Sequence, residues 1–188
     1  MAKVIFAPGF KSIHGSVSRL LYRVFLGRNI VYGKPDRVRQ PNTPAQRNWR
    51  QTFREATAYA KCIKEEAPAT WSAYVAEARK RCTTATALAT QDWLKPPKVT
   101  AIDLKGYQRQ AGDVIAVQAV KDFEVTAVRV SITNGLGAPL ESGAAVFDAA
   151  SGWWKYTVAT DATGESGLTV RATAWDHPGH TGWLELTA

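Results

Sequence analysis

The chain is poor in the residues from which catalytic and metal chemistry is usually built. It has two cysteines, three histidines and one methionine among 188 residues. Cys62 and Cys82 have no metal-ligand spacing and are too few for a disulfide framework. On two antiparallel helices they would lie at opposite ends of the pair, beyond the roughly 7 Å Cα separation that a bridge tolerates. No apolar run reaches the roughly 18 residues of a membrane-spanning helix. The N-terminal apolar run is broken at Pro8-Gly9, so no classical signal peptide is expected and synthesis in the cytoplasm is. No phosphate-binding loop or dinucleotide fingerprint occurs. Ser166, His177 and Asp161 supply the residue types of a hydrolytic triad, but no nucleophile elbow or oxyanion loop accompanies them. Asp176-His177-Pro178-Gly179-His180 offers two imidazoles and a carboxylate without an evident fourth ligand, and reads as a turn. The expectation is a protein that is not an enzyme, with no cofactor, no metal and no catalytic residues.

What the chain does have is a globular composition, 45% apolar, and a strongly uneven charge. Residues 1–97 carry 17 Lys and Arg against 6 Asp and Glu, a net +11, whereas residues 98–188 carry 7 against 10, a net −3. A local cationic excess points to a polyanion, or to the acidic half of a neighbouring copy, as partner.

In the basic half, Leu20 to Leu26 and Ile30-Val31-Tyr32 read as two strands around a turn at Gly27-Arg28-Asn29, giving a hairpin over about residues 18–33. A two-stranded hairpin alone is marginal in water. Tyr22, Val24, Phe25, Ile30, Val31 and Tyr32 are therefore expected to pack on the following helices or on another subunit. Lys34 to Gln40 is extended and basic, an arm or linker.

Pro41-Asn42-Thr43-Pro44-Ala45-Gln46 marks a helix start. Thr43 and Gln46 have the spacing of a capping box, and Pro44 takes the first helical position. Ala45, Trp49, Phe53, Ala56, Ala60 and Ile63 then recur at helical spacing, which predicts one buried face, with Arg47, Arg50 and Arg54 largely off it. Pro68 divides this helix from a second, carrying Trp71, Tyr74, Val75, Ala78 and Cys82, in an antiparallel hairpin. A weaker helical segment, Ala85 to Leu94, ends before Pro96-Pro97, the best domain boundary in the chain.

Beyond it the apolar period becomes two. Runs at Val114–Val117, Val125–Ile132, Trp154–Val158, Leu168–Ala174 and Trp183–Leu186 are separated by turn residues and predict an antiparallel β-sandwich. The fold class is therefore α+β in two domains: 1–97, a basic β-hairpin, arm and helical hairpin, and 98–188, a sandwich. Trp49, Trp71 and one of Trp153 and Trp154 are expected in the core, which leaves Trp153 as an interface aromatic or a platform for sugar stacking.

Two resemblances attach to these residues. The segment 113–187 has the Val128-x-Val130-x-Ile132 strand, the Gly137-x-x-Leu140-Glu141 turn, the aromatic strand at 154–156, and Val170-x-Ala172-x-Ala174-x-Asp176-x-Pro178-Gly179-x-Thr181-Gly182. It resembles bacterial immunoglobulin-like modules, which implies a spacer, adhesion or display domain; the Trp153-Trp154 pair, Trp175 and Trp183 depart from that pattern. The segment 15–60 carries Gly15-Ser16-Val17, Tyr22, Gly27, Lys34-Pro35, Pro41-x-Thr43-Pro44-Ala45-Gln46, Arg50, Phe53 and Ala56. It is similar to a family of uncharacterised bacterial proteins, which implies a recurring module without a known activity.

Together these features predict a structural, self-assembling protein: a component of a phage or virus-like particle (capsid, decoration or tail) or of a filament. Its partners are expected to be copies of itself, with no membrane contact. Arg37, Arg39, Arg47, Arg50 and Arg54 are the expected contact for a polyanion or a neighbouring subunit, since phosphate neutralisation requires no motif. Basic side chains near a helix N-terminus oppose its dipole by about 0.3–1 kcal/mol each, a cost that a bound anion offsets. A nucleic-acid-binding protein is the alternative, and a carbohydrate-binding adhesin using Trp153 the third reading.

Overall fold

The computed structural model describes residues 2–3, 14–25, 27–34 and 43–188. It is an α+β fold: a small antiparallel sheet, three helices and a seven-stranded antiparallel sandwich.

The first sheet has the order β1-β4-β3-β2, formed by β1 (Ala2–Lys3), β2 (Gly15–Val17), β3 (Leu20–Phe25) and β4 (Arg28–Gly33). Its centre is the hairpin β3–β4, paired from Leu20 with Gly33 to Phe25 with Arg28. Arg28 and Asn29, expected in the turn, instead open β4, because Gly27 at φ +74° makes the reversal tighter than three residues. The interval 35–42, with Arg37, Arg39 and most of the expected arm, lies outside the described residues.

Helix α1 (Pro44–Glu66) starts as its residues dictate: Gln46 N donates to Thr43 Oγ1 at 3.3 Å and Thr43 N donates to Gln46 Oε1 at 3.2 Å. It ends at Glu66, with Ala67 alone between it and Pro68, where α2 (Pro68–Lys80) begins, and Thr84 caps α3 (Ala85–Leu94) through the Ala87 amide. Ala60 and Ile63 of α1 pack with Tyr74 and Ala78 of α2 and with Leu88 and Ala89 of α3, and Ala56 of α1 is buried as well. α1 lies mainly against α3 rather than forming a two-helix hairpin with α2 alone.

Only the C-terminal half of the α1 stripe reaches this core. Ala45 is exposed, Trp49 is 61% exposed and Phe53 49%. The expectation of a core Trp49 is thus corrected: α3 runs beside this part of α1 but leaves an open cleft there, and Trp49 and Phe53 line that cleft instead of packing closed against α3.

The sandwich comprises β5 (Lys98–Asp103), β6 (Val114–Val120), β7 (Ala127–Thr133), β8 (Pro139–Asp148), β9 (Trp153–Thr157), β10 (Thr169–Trp175) and β11 (Thr181–Thr187), in the order β11-β10-β7-β8-β9-β6-β5. Alternation sets the core: Ile115 and Val117, Val128, Val130 and Ile132, and Val170, Ala172 and Ala174 point inward and are buried. β8 joins the two faces, pairing with β7 along residues 139–145 and with β9 along 146–148. β11 comes alongside β5 and nearly closes the sandwich, an approach that Gly182 permits, since a Cβ there would lie 2.0 Å from the Pro97 carbonyl oxygen. Two strands escaped the sequence pattern. β5 has a bulge between Val99 and Ala101 that breaks its period, and the Gly137-x-x-Leu140-Glu141 segment read as a turn contributes Leu140 and Glu141 to β8.

Helices and sandwich meet at the β6–β7 loop, residues 121–124. Phe123 stacks on Tyr74 with ring centroids 4.4 Å apart and packs against the helical core. Asp122 accepts from Arg81, the residue that caps the C-terminal end of α2, and pairs with Lys95 at 3.1 Å. Beneath them the Lys121 ammonium lies between Asp92 of α3, at 3.0 Å, and Asp176 at the end of β10, and all three side chains are fully buried.

Candidate assembly surface

The residues expected to make contacts fall on three surfaces. On α1, Arg47, Arg50 and Arg54 are exposed, and no acidic residue occupies the first turn to compensate the arginines there. Arg54 Nη1 reaches Gln51 Oε1 at 3.5 Å, one of several polar links along this face, with Gln51 Nε2 to Glu55 Oε1 at 2.8 Å.

Beside this face runs an apolar cleft of about 580 Å³ between α1 and α3, lined by Trp49, Phe53, Ala87 and Leu94 with the threonines 57, 84, 86 and 90. The same helix thus presents guanidinium groups next to uncovered aromatic rings. That combination is enriched in interface cores, where Trp, Phe and Arg supply area and directional bonds together.

The hairpin residues separate onto two faces. Paired residues point to the same side, so Tyr22 and Val31 share one face, with Val24 beside them. Phe25, Ile30 and Tyr32 take the other, where Arg23 lies over the rings of Phe25 (5.3 Å) and Tyr32 (5.6 Å). Phe25, Arg28 and Ile30 border the C-terminal end of α2 across a cleft of about 370 Å³ lined by Ala78, Arg79, Cys82 and Thr83. Phe25 is exposed, whereas Tyr22, Val24, Ile30, Val31 and Tyr32 are half-buried.

Trp153 is half-buried rather than exposed, and Trp154 packs against the sandwich core with Phe147 at 5.3 Å. The tryptophans left in solvent are Trp49 and Trp183, the latter covered on one side by Arg171 at 4.9 Å. Ser166, His177 and Asp161 are held by separate partners: Asp161 accepts from Ala111 N at 2.7 Å, His177 Nε2 lies 3.0 Å from Glu124, and the Ser166 carbonyl accepts from Gly135 N. The Asp176–His180 segment is the β10–β11 turn, with Gly179 at φ +86° donating back to the Asp176 carbonyl. Cys62 and Cys82 are free thiols, and Cys62 donates to Glu66 at 3.0 Å.

Electrostatics at the helix–sandwich junction follow from burial. Burial first, then donation to Asp92 at 2.6 Å, raises the Tyr74 phenol well above its ordinary value, so it is a neutral donor across the whole physiological range. Tyr59, 3.4 Å from the Tyr74 hydroxyl, is raised chiefly by burial as well. The Lys95 ammonium holds the Asp122 carboxyl below its ordinary range, outweighing the opposing effect of burial. In the sandwich, burial alone would raise Glu141, but bonds from Tyr156 and from the Ala159 and Thr160 amides together outweigh it and hold the carboxyl low.

Sequence reading missed Asp92 and Lys121 altogether, because a lone aspartate in a helix and a lone lysine after a strand carry no periodic signal. Their meeting is a property of the packing.

No family model matches the chain, and no curated protein does. Among solved structures it is similar to CopC from Methylosinus trichosporium OB3b, at 16% identity and a TM-score of 0.33, covering 48% of this chain and 91% of that one. It is also similar to a conjugative transposon lipoprotein from Bacteroides eggerthii DSM 20697, at 16% identity and a TM-score of 0.25, covering 48% and 92%.

Proposed function

We propose that the protein is a structural, non-catalytic, self-assembling component of a phage or virus-like particle (capsid, decoration or tail) or of a filament. In this reading residues 1–97 form the unit that contacts neighbouring copies, and residues 98–188 form an outward, immunoglobulin-like unit. The strand order supports the second part: β5, β6, β9 and β8 follow the A-B-E-D order of one immunoglobulin sheet, and β7, β10 and β11 the C-F-G order of the other. Two separate apolar clusters, one helical and one in the sandwich, support the division.

The observation that carries the reading is the uncovered half of the α1 stripe, Trp49 and Phe53 beside Arg47, Arg50 and Arg54. Large apolar side chains grouped on a surface mark contacts. The test is the mass of the purified protein by light scattering. Assemblies far larger than 20.6 kDa are expected, reduced to small species by Trp49→Ser with Phe53→Ser and by deletion of residues 1–40. A wild-type monomer at every concentration, or unchanged particles from the deleted chain, refutes the proposal.

The alternative is a nucleic-acid-binding protein, favoured by the exposed Arg47, Arg50 and Arg54. It requires binding that weakens steeply with salt and is lost on replacing these three residues.

A further inference from the structure

The buried Lys121 stands in surroundings that suit a chemical step as well as an ion pair. Nζ touches Asp176 Oδ2 and lies 3.0 Å from Asp92 Oδ1, and the side chains of all three residues are shielded completely from solvent. Asp176 Oδ1 accepts from the His180 amide at 2.6 Å, which polarises that carbonyl, while His180 Nδ1 lies 3.7 Å from Oδ2. Among the described residues, two of the few buried polar atoms without a hydrogen bond are at this site: Asp92 Oδ1, facing the ammonium, and His180 Nδ1, facing the carboxyl. The other Asp92 oxygen is fixed by the Tyr74 hydroxyl at 2.6 Å, and Tyr74 and Phe123 close the helical side.

We propose that Lys121 and Asp176 condense to an intramolecular amide, with Asp92 as proton acceptor. Asp92 Oδ1 takes a proton from the ammonium, and the neutral amine attacks Cγ of Asp176. The oxygen that gains charge is Oδ1, held by the His180 amide, and the protons released from Nζ pass to Oδ2, the first by way of Asp92. One Nζ–Cγ bond forms and one Cγ–Oδ2 bond breaks. Oδ2 leaves as water with two protons that both began on Nζ, and Asp92 and His180 end unchanged. No oxidant, reductant or cofactor is required.

Two physical arguments favour the step. Buried opposite charges carry a desolvation penalty that a neutral amide removes. Holding nucleophile and electrophile in contact also gives the high effective concentration that bimolecular amide formation in water lacks. The bond would join the end of β6 in one sheet to the end of β10 in the other, in a sandwich whose sequence contains no cysteine to make such a link. This inference does not depend on the assembly reading.

The test is the intact mass of the purified full chain under denaturing conditions, followed by a tryptic map. The expected mass is that of the sequence less one water, with no cleavage after Lys121 and with the Lys121 and Asp176 peptides recovered as one branched species. Lys121→Arg should return the full sequence mass. Asp92→Asn, scored on its folded fraction by circular dichroism, should leave the two peptides separate. An unmodified wild-type mass overturns the proposal. So does a lost water found as a succinimide within a single linear peptide. A branched peptide joined at Asp92 instead, or full linkage in folded Asp92→Asn protein, overturns the assigned roles.

Discussion

Gly182→Ala tests the closure of the sandwich. Gly182 pairs with Ala174 on β10 while its other side meets the chain just past the helices. An added Cβ would lie 2.0 Å from the Pro97 oxygen, 2.8 Å from the Pro97 carbonyl carbon and 3.3 Å from the Lys98 Cα. All three atoms are backbone, so no rotamer change relieves the overlap and β11 must move away from β5. Overpacking of this kind costs about 1–3 kcal/mol, and a rigid backbone neighbour places the value at the upper end. A loss of that size should lower the thermal midpoint by roughly 4–12 °C, at about 2–4 °C per kcal/mol for a chain of this length. Gly164→Ala is the control, because a Cβ there meets nothing within 4 Å and its φ is ordinary; it should stay within about 0.5 kcal/mol of wild type. Urea unfolding followed by tryptophan fluorescence measures both. A Gly182→Ala protein as stable as the control would show that β11 and β5 are not held in contact.

Further tests reach the other elements. Thr43→Ala removes half of the capping box of α1 and should cost about 1 kcal/mol in urea unfolding; an assembly defect beyond that cost would place the cap within the contact surface. Tyr74→Phe leaves the stacking on Phe123 intact but takes a donor from the buried Asp92, and should cost about 1.5–3 kcal/mol; no measurable loss would mean that Asp92 finds another donor. Acid stability follows from the lowered carboxyls of Asp122 and Glu141. Each is bound more strongly as the anion in the folded state, so its contribution is fully present above the ordinary carboxylate range and is lost as pH falls through the lowered folded value. Glu141→Gln should therefore be less stable near neutrality and lose less on acidification; parallel pH–stability curves for mutant and wild type would contradict this.

Local chemistry was legible wherever neighbouring residues carry the whole signal. Thr43, Pro44 and Gln46 specify a helix start without reference to anything distant, and the caps and prolines around α1, α2 and α3 bound those helices nearly to the residue. Strict alternation likewise made β6, β7 and β10 visible, whereas the bulge in β5 and the small, polar make-up of β8 hid those strands. Helical spacing also marked Trp49 and Phe53 as members of one apolar stripe. It could not reveal that they stay uncovered, because exposure depends on how closely α3 packs against the N-terminal half of α1.

The sequence by itself therefore determined the three helices and the regularly alternating strands, the change of period at Pro96-Pro97 and the uneven charge, since each rests on residues close in the chain. Only the tertiary structure decided which half of α1 is buried and which tryptophans face solvent. It also decided that Asp92, Lys121 and Asp176 meet. Those three are separated by 29 and 55 positions, and no local rule links them. They come together because the β6–β7 loop reaches into the helical core while the β10–β11 turn closes over it.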